Sequence, residues 1–258
     1  MKKKSVVQPQ ESISNLCDWF KSPLGKEIVE CEKALVDELV PWLFGYHLVQ
    51  IGFDASICLF KASPVSNKIM TVPSLTLGVP QNSVIAQPHE LPFLTNEIDV
   101  VILHHTLDFA EQPHQVLREA ARILRPGGHL IIVGFNPASF WGICRRIRRA
   151  KSVPWSARGL SHWRLQDWLS LLELTEIKAK SGYNHPPLSS ARWRKRFSFL
   201  ESIVRKTPTH NGVVLTVLAR KDVVGMTPLK PAWKRRALIT FPVAEPTTRG
   251  SSGSRSMN

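Results

Sequence analysis

The stretch EIDVVILHHTLDFAEQPHQVLREAARILRPGGHLIIVGF, residues 97–135, decides the fold. It begins with EIDVVILHH, which is apolar almost throughout, as a parallel strand buried on both faces should be. Pro113 can open a helix at its first turn, and the glycines of RPGG (125–128) can end it in a left-handed conformation. The apolar helical stripe is Val116, Leu117, Ala120, Ala121, Ile123 and Leu124. HLIIVGF (129–135) then reads as a second strand, so we predict two parallel strands in one sheet, joined by a helix.

Shorter patterns on either side extend this sheet. Upstream, HLVQIG, NKIMTV and NSVIAQ predict three buried strands. Downstream, LQDWLSLLEL predicts a helix, and TEIKAK and GVVLTVLARK predict two further strands. Residues 15–44 have helical spacing of their apolar side chains. The chain is therefore predicted to be an α/β protein with a helical extension (1–44), a central domain (45–222, with a basic insert within 138–210) and a disordered basic tail (223–258).

Composition limits the class of protein. No run approaches the roughly 20 apolar residues that cross a bilayer, and the basic start MKKK has no apolar segment after it, so we expect neither a transmembrane segment nor a secretory signal. The four cysteines lie far apart without a CxxC pair, which argues against a zinc site or disulfide framework and favours a cytoplasmic location.

The formal charge of +14 is unevenly distributed along the chain. Residues 1–143 carry 11 basic and 14 acidic side chains, whereas residues 144–206 carry 15 and 4. A solvated basic face and a polyanionic partner, either RNA or an anionic membrane surface, both explain this excess.

Residues 86–137 resemble the second half of a class I S-adenosylmethionine-dependent methyltransferase of the type 11 kind. The family's Leu-Pro-Phe, its hydrophobic-Asp start of the fourth strand and its Leu-Arg-Pro-Gly-Gly occur in order, at residues 91–93, 98–99 and 124–128. The likeness spans roughly residues 40–220, and its later part resembles a poorly characterised bacterial branch. The resemblance implies a Rossmann-like seven-stranded methyltransferase sheet flanked by helices, with S-adenosylmethionine as cofactor.

Ligands of such sheets bind outside the carboxyl ends of the strands, and this places the implied cofactor site. Gly52 would let the backbone approach the amino-acid part of the cofactor, beside Phe53 and Asp54. Gln87 and Pro88 would meet the adenine. The resemblance places the methionine part above His105, Thr106 and Leu107. Each position also has a structural explanation: Gly52 as a turn, and His104 and His105 as strand-end histidines with satisfied hydrogen bonds.

The chain departs from the family where the cofactor loop is expected. GFDAS (52–56) keeps only the first glycine of the usual Gly-x-Gly-x-Gly. TVPSLTLG (71–78) has no carboxylate for the ribose hydroxyls, and Gln87 replaces a second expected acid. A charged hydrogen bond is worth about 1.5–3 kcal/mol, so its loss implies a Kd raised by about tenfold to a hundredfold. Asp54 could supply a substitute carboxylate.

Methyl transfer needs alignment, exclusion of water and sometimes a general base, so no essential nucleophile is expected, and none is found. The sequence shows no catalytic triad, carboxylate pair or histidine-rich metal motif. Candidate residues facing a substrate are Asp108, Asn136, Arg145, Arg149 and Trp193.

Two basic segments could bind the acceptor or a partner. RRIRRAK runs from Arg145 to Lys151, and RWRKRF runs from Arg192 to Phe197 and mixes cations with aromatic rings. Such a mixture suits RNA, with phosphate contacts and base stacking, or an anionic membrane surface. A small-molecule acceptor is the third alternative.

Three functions fit the sequence. The first is a methyltransferase with a degenerate cofactor loop and an unidentified acceptor. The second is a catalytically inactive pseudo-methyltransferase that binds RNA or protein through its basic surface. The third is a dehydrogenase-like nucleotide binder, which the missing glycine fingerprint and ribose carboxylate disfavour.

Overall fold

Seven strands of the described residues form one mixed sheet: β1 His47–Ile51, β2 Asn67–Val72, β3 Ser83–Ile85, β4 Ile98–His104, β5 Leu124–Phe135, β6 Leu174–Gly182 and β7 Val214–Lys221. The computed structural model describes residues 9–74, 80–139, 141–142, 159–183 and 212–222. Strands β1–β5 are parallel, and β7 is antiparallel to both of its neighbours. The order of the strands across the sheet is β3–β2–β1–β4–β5–β7–β6. The predicted seven-stranded sheet is confirmed.

Helices cover both faces of this sheet. The helices of the described residues are α1 Pro9–Phe20, α2 Pro23–Asp37, a 3-10 helix Val40–Trp42, α3 Thr106–Phe109, α4 Pro113–Ile123 and α5 His162–Leu171. All seven residues of β4 are buried. Val100 and Ile102 pack with α1 and α2, whereas Val101 and Leu103 pack with α4 and α5. This alternation explains why β4 has no polar face in the sequence.

The end of α4 differs from its predicted form. We expected a glycine of RPGG to end the helix, and Gly127 does adopt a left-handed φ of +80°. However, Leu124 is already extended and pairs with Ile98, so α4 ends at Ile123 and β5 begins at Leu124. Strand pairing therefore ends the helix. Gly127 lies between the pair Ile98–Leu124 and the next pair, Val100–His129, where the register of β4 and β5 shifts.

The two N-terminal helices pack closely on each other and on the sheet. Ser22 caps α2 by accepting a hydrogen bond from the Gly25 N–H at 3.1 Å, and Pro23 occupies the first turn. A Cβ on Gly25 would overlap the Trp19 carbonyl oxygen and lie 2.6 Å from the Phe20 Cα. Only glycine therefore permits this close approach of α2 to the end of α1.

No helix forms between β1 and β2, where residues 52–66 are all described. This segment is held by the buried Gln50 of β1, whose side-chain amide donates to the Ile57 carbonyl at 2.6 Å. The Gln50 side-chain oxygen accepts from the Leu59 N–H at 2.9 Å. Ile57, Leu59 and Val65 then fill the same core as α1 and α2. An irregular segment thus takes the place of a crossover helix.

Some predictions fall on residues outside the described ranges. These are the disordered tail (223–258) and most of the basic insert, including both of its arginine-rich segments. Among the described residues, no helix is long and apolar enough to cross a membrane.

Candidate cofactor site

A cavity of about 730 Å³ lies beside the carboxyl ends of β1–β4. Each of these strands contributes residues that follow its end: Phe53 after β1, Pro73 and Ser74 after β2, and Gln87, Pro88 and His89 after β3. Residues 109–112 follow β4 and complete this side of the wall. The cavity therefore occupies the position where ligands bind in open parallel sheets.

Helix α1 forms the opposite wall of the cavity. Ser14, Cys17 and Asp18 of this helix face the cavity, as does Lys21, which directly follows it. Asp18 and Lys21 form an exposed ion pair at 2.9 Å. Cys17 lies against the loop after β1, because its thiol donates to the Phe53 carbonyl at 3.6 Å. Burial, with Asp54 adding to it, raises the pKa of Cys17 to about 11, so the thiol stays protonated.

Phe53 directly follows Gly52 at the end of β1. Its ring lines the cavity and meets the Phe109 ring edge-on, with centroids 6.4 Å apart and planes at 90°. Two aromatic residues, one after β1 and one at the end of α3, therefore line the same cavity. The faces of their rings carry the negative electrostatic potential that attracts a cation.

Gln87 and Pro88 follow the end of β3, and their contact with an adenine stays a prediction. Both line the cavity, and the Gln87 amide donates to the Pro73 carbonyl at 3.4 Å, which links the ends of β3 and β2. The Gln87 carbonyl accepts from the Glu90 N–H and closes a turn. Gln87 therefore offers a side-chain amide beside the cavity in place of the expected carboxylate.

Gly52 and Asp54 do not belong to the cavity wall. Gly52 is buried beside His104, and a Cβ placed on it would lie 3.7 Å from the His104 Cβ, an ordinary contact. Asp54 accepts hydrogen bonds from the N–H and hydroxyl of Ser56 and so closes its own turn. The structure thus gives Asp54 a local partner, and its use as a substitute ribose carboxylate stays a prediction.

Thr106 and Leu107 organise the end of β4 from beneath the cavity. The Thr106 hydroxyl donates to the Ile51 carbonyl at 2.9 Å, which joins the ends of β1 and β4. Leu107 is buried on the other face of the sheet. Both residues therefore support the cavity wall without lining it.

A buried cluster of ionisable side chains lies behind the cavity wall. It consists of Glu32 from α2, His104 and His105 from the end of β4, and Asp108 from α3, all less than 4% exposed. The two Glu32 oxygens lie 2.9 Å from His104 Nε2 and 2.8 Å from His105 Nε2. His105 Nδ1 lies 2.8 Å from Asp108 Oδ2. His105 therefore bridges two carboxylates.

This geometry determines the charge of His105. A carboxylate accepts hydrogen bonds only, so both His105 ring nitrogens must donate, and the ring is an imidazolium. Burial alone would lower the pKa of His105, but the Glu32 charge and the hydrogen bonds to Asp108 and Glu32 raise it to about 9. Burial would likewise raise the pKa of Glu32, but the His105 charge and both histidine hydrogen bonds lower it to about 2.

His104 differs from its neighbour because it faces one carboxylate of the cluster instead of two. Burial lowers the pKa of His104 despite its hydrogen bond to Glu32. The neutral ring therefore donates through Nε2, and the Phe20 ring of α1 stacks on it at a centroid distance of 5.6 Å. The cluster thus contains one neutral and one charged histidine.

The backbone of His105 is held in an uncommon conformation. Its φ of 52° lies in the left-handed region, which costs a residue with a side chain about 1–3 kcal/mol. The His105 N–H donates to the Val133 carbonyl at 2.8 Å, and its own carbonyl accepts from the Asp108 N–H at 3.1 Å. Hydrogen bonds of both backbone and ring therefore maintain this turn.

Glu32, His104 and His105 also form the one group, within the part of the chain that the structure describes, that could hold a metal ion. Zinc accepts such ligands at about 2.0–2.2 Å. Here each nitrogen facing Glu32 already has a carboxylate oxygen at hydrogen-bond distance, so donors and acceptors satisfy one another without a metal.

The predicted substrate residues are either internal or outside the described ranges. Asp108 accepts from the Phe135 N–H in addition to its bond with His105. The Asn136 amide donates to the Gly212 carbonyl, and its oxygen accepts from the Ala138 N–H. Both residues are buried and absent from the cavity wall. Arg145, Arg149 and Trp193 lie outside the described residues.

The sequence did not identify Glu32 or helix α1 as parts of the site. A glutamate among Ile28, Val29 and Val36, which form the apolar stripe of α2, was the available signal, because an acid on a buried face requires a partner. No spacing rule connects it with His105, which lies 73 residues further along the chain.

Residues 65–132 match the family model described as "Methyltransferase domain". The uncharacterised protein YafS of Escherichia coli is 37% identical over 175 residues, which cover 66% of this chain and 70% of that protein. A crystal structure of a SAM-dependent methyltransferase from Thermotoga maritima is similar with a TM-score of 0.59 at 20% identity, covering 83% of this chain and 98% of that one.

A geranyl diphosphate methyltransferase, solved in complex with SAM, is similar with a TM-score of 0.51 at 18% identity, covering 74% of this chain and 86% of that one. At such identities the two solved structures show a shared fold.

Proposed function

The chain belongs to the class I S-adenosylmethionine-dependent methyltransferase family, and from this we propose that it binds S-adenosylmethionine in the cavity beside β1–β4 and methylates an acceptor there. The observation that carries the proposal is the cavity of about 730 Å³ at the carboxyl ends of these strands. Its volume is within the range of about 300–1,000 Å³ typical of small-molecule sites.

The residues of the cavity fit the chemistry of this cofactor. S-adenosylmethionine supplies a methyl group attached to a positively charged sulfur. The Phe53 and Phe109 rings offer aromatic surface to such a cation. The Gln87 amide offers a donor and an acceptor to the adenine, and the Lys21 ammonium offers a cation to a carboxylate. Apolar, polar and charged groups are thus all available around one cavity.

The wall also explains why we expect weak binding. Pro73 and Ser74, which follow β2, provide no carboxylate for the ribose hydroxyls. Residues 52–66 form no helix whose N-terminal N–H groups could face the ligand. We therefore expect a Kd that is about tenfold to a hundredfold above that of a site with a bidentate ribose carboxylate.

The acceptor and its binding surface are a further part of the proposal. Helix α1 covers one side of the cavity, which would keep water from the reacting atoms. The arginine-rich segments 145–151 and 192–197 make RNA the first acceptor class to test, because cations interleaved with aromatic residues suit phosphates and bases. A small-molecule acceptor is the alternative outcome of that test.

Calorimetric titration with S-adenosylmethionine and S-adenosylhomocysteine tests the proposal directly. We expect saturable binding in the wild type and loss of binding in Gly52→Trp that circular dichroism shows to be folded, because its indole would displace the residues around the buried end of β1. Gln81→Trp, at an exposed loop position, is the matched control and should bind normally. Absence of heat up to millimolar ligand, from protein shown to be folded, would refute the proposal and favour an inactive binding protein.

A further inference from the structure

We propose that Glu32 and His105 form a positioning pair, through which the N-terminal helices hold two walls of the cofactor cavity in their binding geometry. This inference rests on the proposed function, because the geometry that the pair maintains is that of the cofactor site. Neither residue lines the cavity, so neither is a catalytic residue.

The first wall is the chain that follows β4. His105 donates from Nε2 to Glu32 and from Nδ1 to Asp108, each at 2.8 Å. Glu32 therefore orients the ring that in turn binds Asp108. Asp108 also accepts from the Phe135 N–H at 2.8 Å, so α3 is fixed to the end of β5. Helix α3 leads directly into residues 109–112, which line the cavity. Removing the Glu32 charge therefore weakens the first of these hydrogen bonds, and the contacts that depend on it position residues 109–112 of the cavity wall.

The second wall is helix α1. The Phe20 ring lies on both histidines, with centroid distances of 5.6 Å to His104 and 5.5 Å to His105. Lys21 and Cys17, one and three positions away, face the cavity. Phe20 packs on the two histidine rings, and Glu32 orients both rings through hydrogen bonds. Glu32 therefore also determines the position of α1 beside the cavity.

The left-handed backbone of His105 makes the pair a positioning device and not only a stabilising contact. That conformation turns the chain from β4 into α3. It is energetically unfavourable and persists only while the surrounding contacts offset its cost. When the ring loses a carboxylate partner, relaxation of this turn moves the residues that follow it. The predicted consequence is a loss of ligand affinity that exceeds the effect of an equally buried carboxylate elsewhere.

Asp99 supplies that matched control. It is 2% exposed, accepts from the Tyr46 and His47 N–H groups, and pairs with Arg125 at the opposite ends of the strands. We expect Glu32→Gln to raise the Kd for S-adenosylhomocysteine by at least about tenfold, and Asp99→Asn to change it by less than about twofold. Equal Kd changes in the two variants, or unchanged affinity in Glu32→Gln, would overturn the positioning role.

Hydrogen exchange tests the pair without any ligand. In Glu32→Gln, amides of residues 106–112 and of α1 should exchange at least about tenfold faster than in Asp99→Asn when both are compared at equal global stability. If the wild type binds no cofactor but this difference is present, the proposed function fails and the positioning pair stands. If cofactor binds and no difference appears, the pair fails alone.

Nitrogen-15 spectra of the histidine rings in the wild type keep the test valid if Glu32→Gln does not fold. The expected result is a His105 ring with protons on both nitrogens at neutral pH. A singly protonated ring, or a stoichiometric transition metal in purified protein by elemental analysis, would overturn the hydrogen-bonded pair. The latter result would assign Glu32, His104 and His105 to a metal centre.

Discussion

The side-chain oxygen of Gln50, in the middle of the buried strand β1, accepts a hydrogen bond from the N–H of Leu59 at 2.9 Å. The Gln50 amide at the same time donates to the Ile57 carbonyl. A single side chain therefore satisfies two backbone groups of a segment that has no helix to satisfy them. The path of the chain after β1 depends on this glutamine.

Replacing Gln50 with methionine should destabilise the protein. The change keeps the side-chain length but leaves the Ile57 carbonyl and Leu59 N–H buried without partners, at a cost of about 2–4 kcal/mol in the free energy of unfolding. Urea denaturation measures this cost. The exposed Gln81→Met is the control, and a loss below about 0.5 kcal/mol in Gln50→Met would contradict the role assigned to these hydrogen bonds.

Gly52→Ala should distinguish a requirement of glycine for stability from a requirement of glycine for ligand binding. A Cβ at this position meets only ordinary contacts with His104, at 3.7 Å and beyond, so we expect a stability change within about 0.5 kcal/mol. A fall in affinity for S-adenosylmethionine would then report contact between ligand and backbone. Thermal unfolding and calorimetry are the two measurements, and a large stability loss would show that the glycine is required by the fold.

Gly25→Ala should behave in the opposite way. The new methyl group would overlap the Trp19 carbonyl and separate α1 from α2, because backbone atoms cannot move aside as a side-chain tip can. We expect a loss of about 2–3 kcal/mol in the free energy of unfolding. The measurement is chemical denaturation beside Gly52→Ala, and a neutral Gly25→Ala would show that the two helices can move apart freely.

The stability of the protein should decrease from pH 6.5 to pH 9 through His105. Its folded-state pKa of about 9 lies above the ordinary 6.5, so its stabilising contribution is complete below pH 6.5 and is lost as the pH rises through 9. The whole contribution is on the order of 3 kcal/mol. Glu32, Asp108 and His104 face this ring, and the lowered pKa values of Glu32 and His104 place their titration at more acidic pH.

Unfolding of the wild type and His105→Gln across this pH range measures that contribution. We expect the difference between the two free energies of unfolding to decrease steadily with pH. A constant difference between pH 6.5 and 9 would mean that His105 is neutral in the folded protein, against the arrangement of its two carboxylate partners.

The sequence predicted those parts of the fold that depend on local patterns. The strand–helix–strand unit of residues 97–135 was identified because β4 and β5 are apolar almost throughout and α4 has one apolar stripe. The two strands are also neighbours in the sheet. The left-handed glycine was also predicted, but not its place inside β5, because the pairing of Leu124 with Ile98 is a tertiary contact.

The site was predicted less completely, for the same reason. Gln87 and Pro88 follow a strand end, so the general geometry of parallel sheets was enough to place them in the cavity wall. Glu32 and the α1 wall depend on contacts between distant parts of the chain, which no local spacing reveals. The irregular segment 52–66 is held by Gln50, which reads in the sequence as one polar residue in a strand.

The dependence of Glu32 on His105 also sets an order of events during synthesis. Helices α1 and α2 are translated before the strands of the sheet, so Ile28 and Val36 have no core to cover until β4 and β5 have been translated. The apolar faces of both helices therefore stay uncovered until residue 133 has been translated, and Glu32 adds a charge to the uncovered face of α2. A fragment that begins at β1 would in turn expose Val100, Ile102 and Ile131 to solvent, so the smallest unit that can fold extends well upstream of the segment that resembles other methyltransferases.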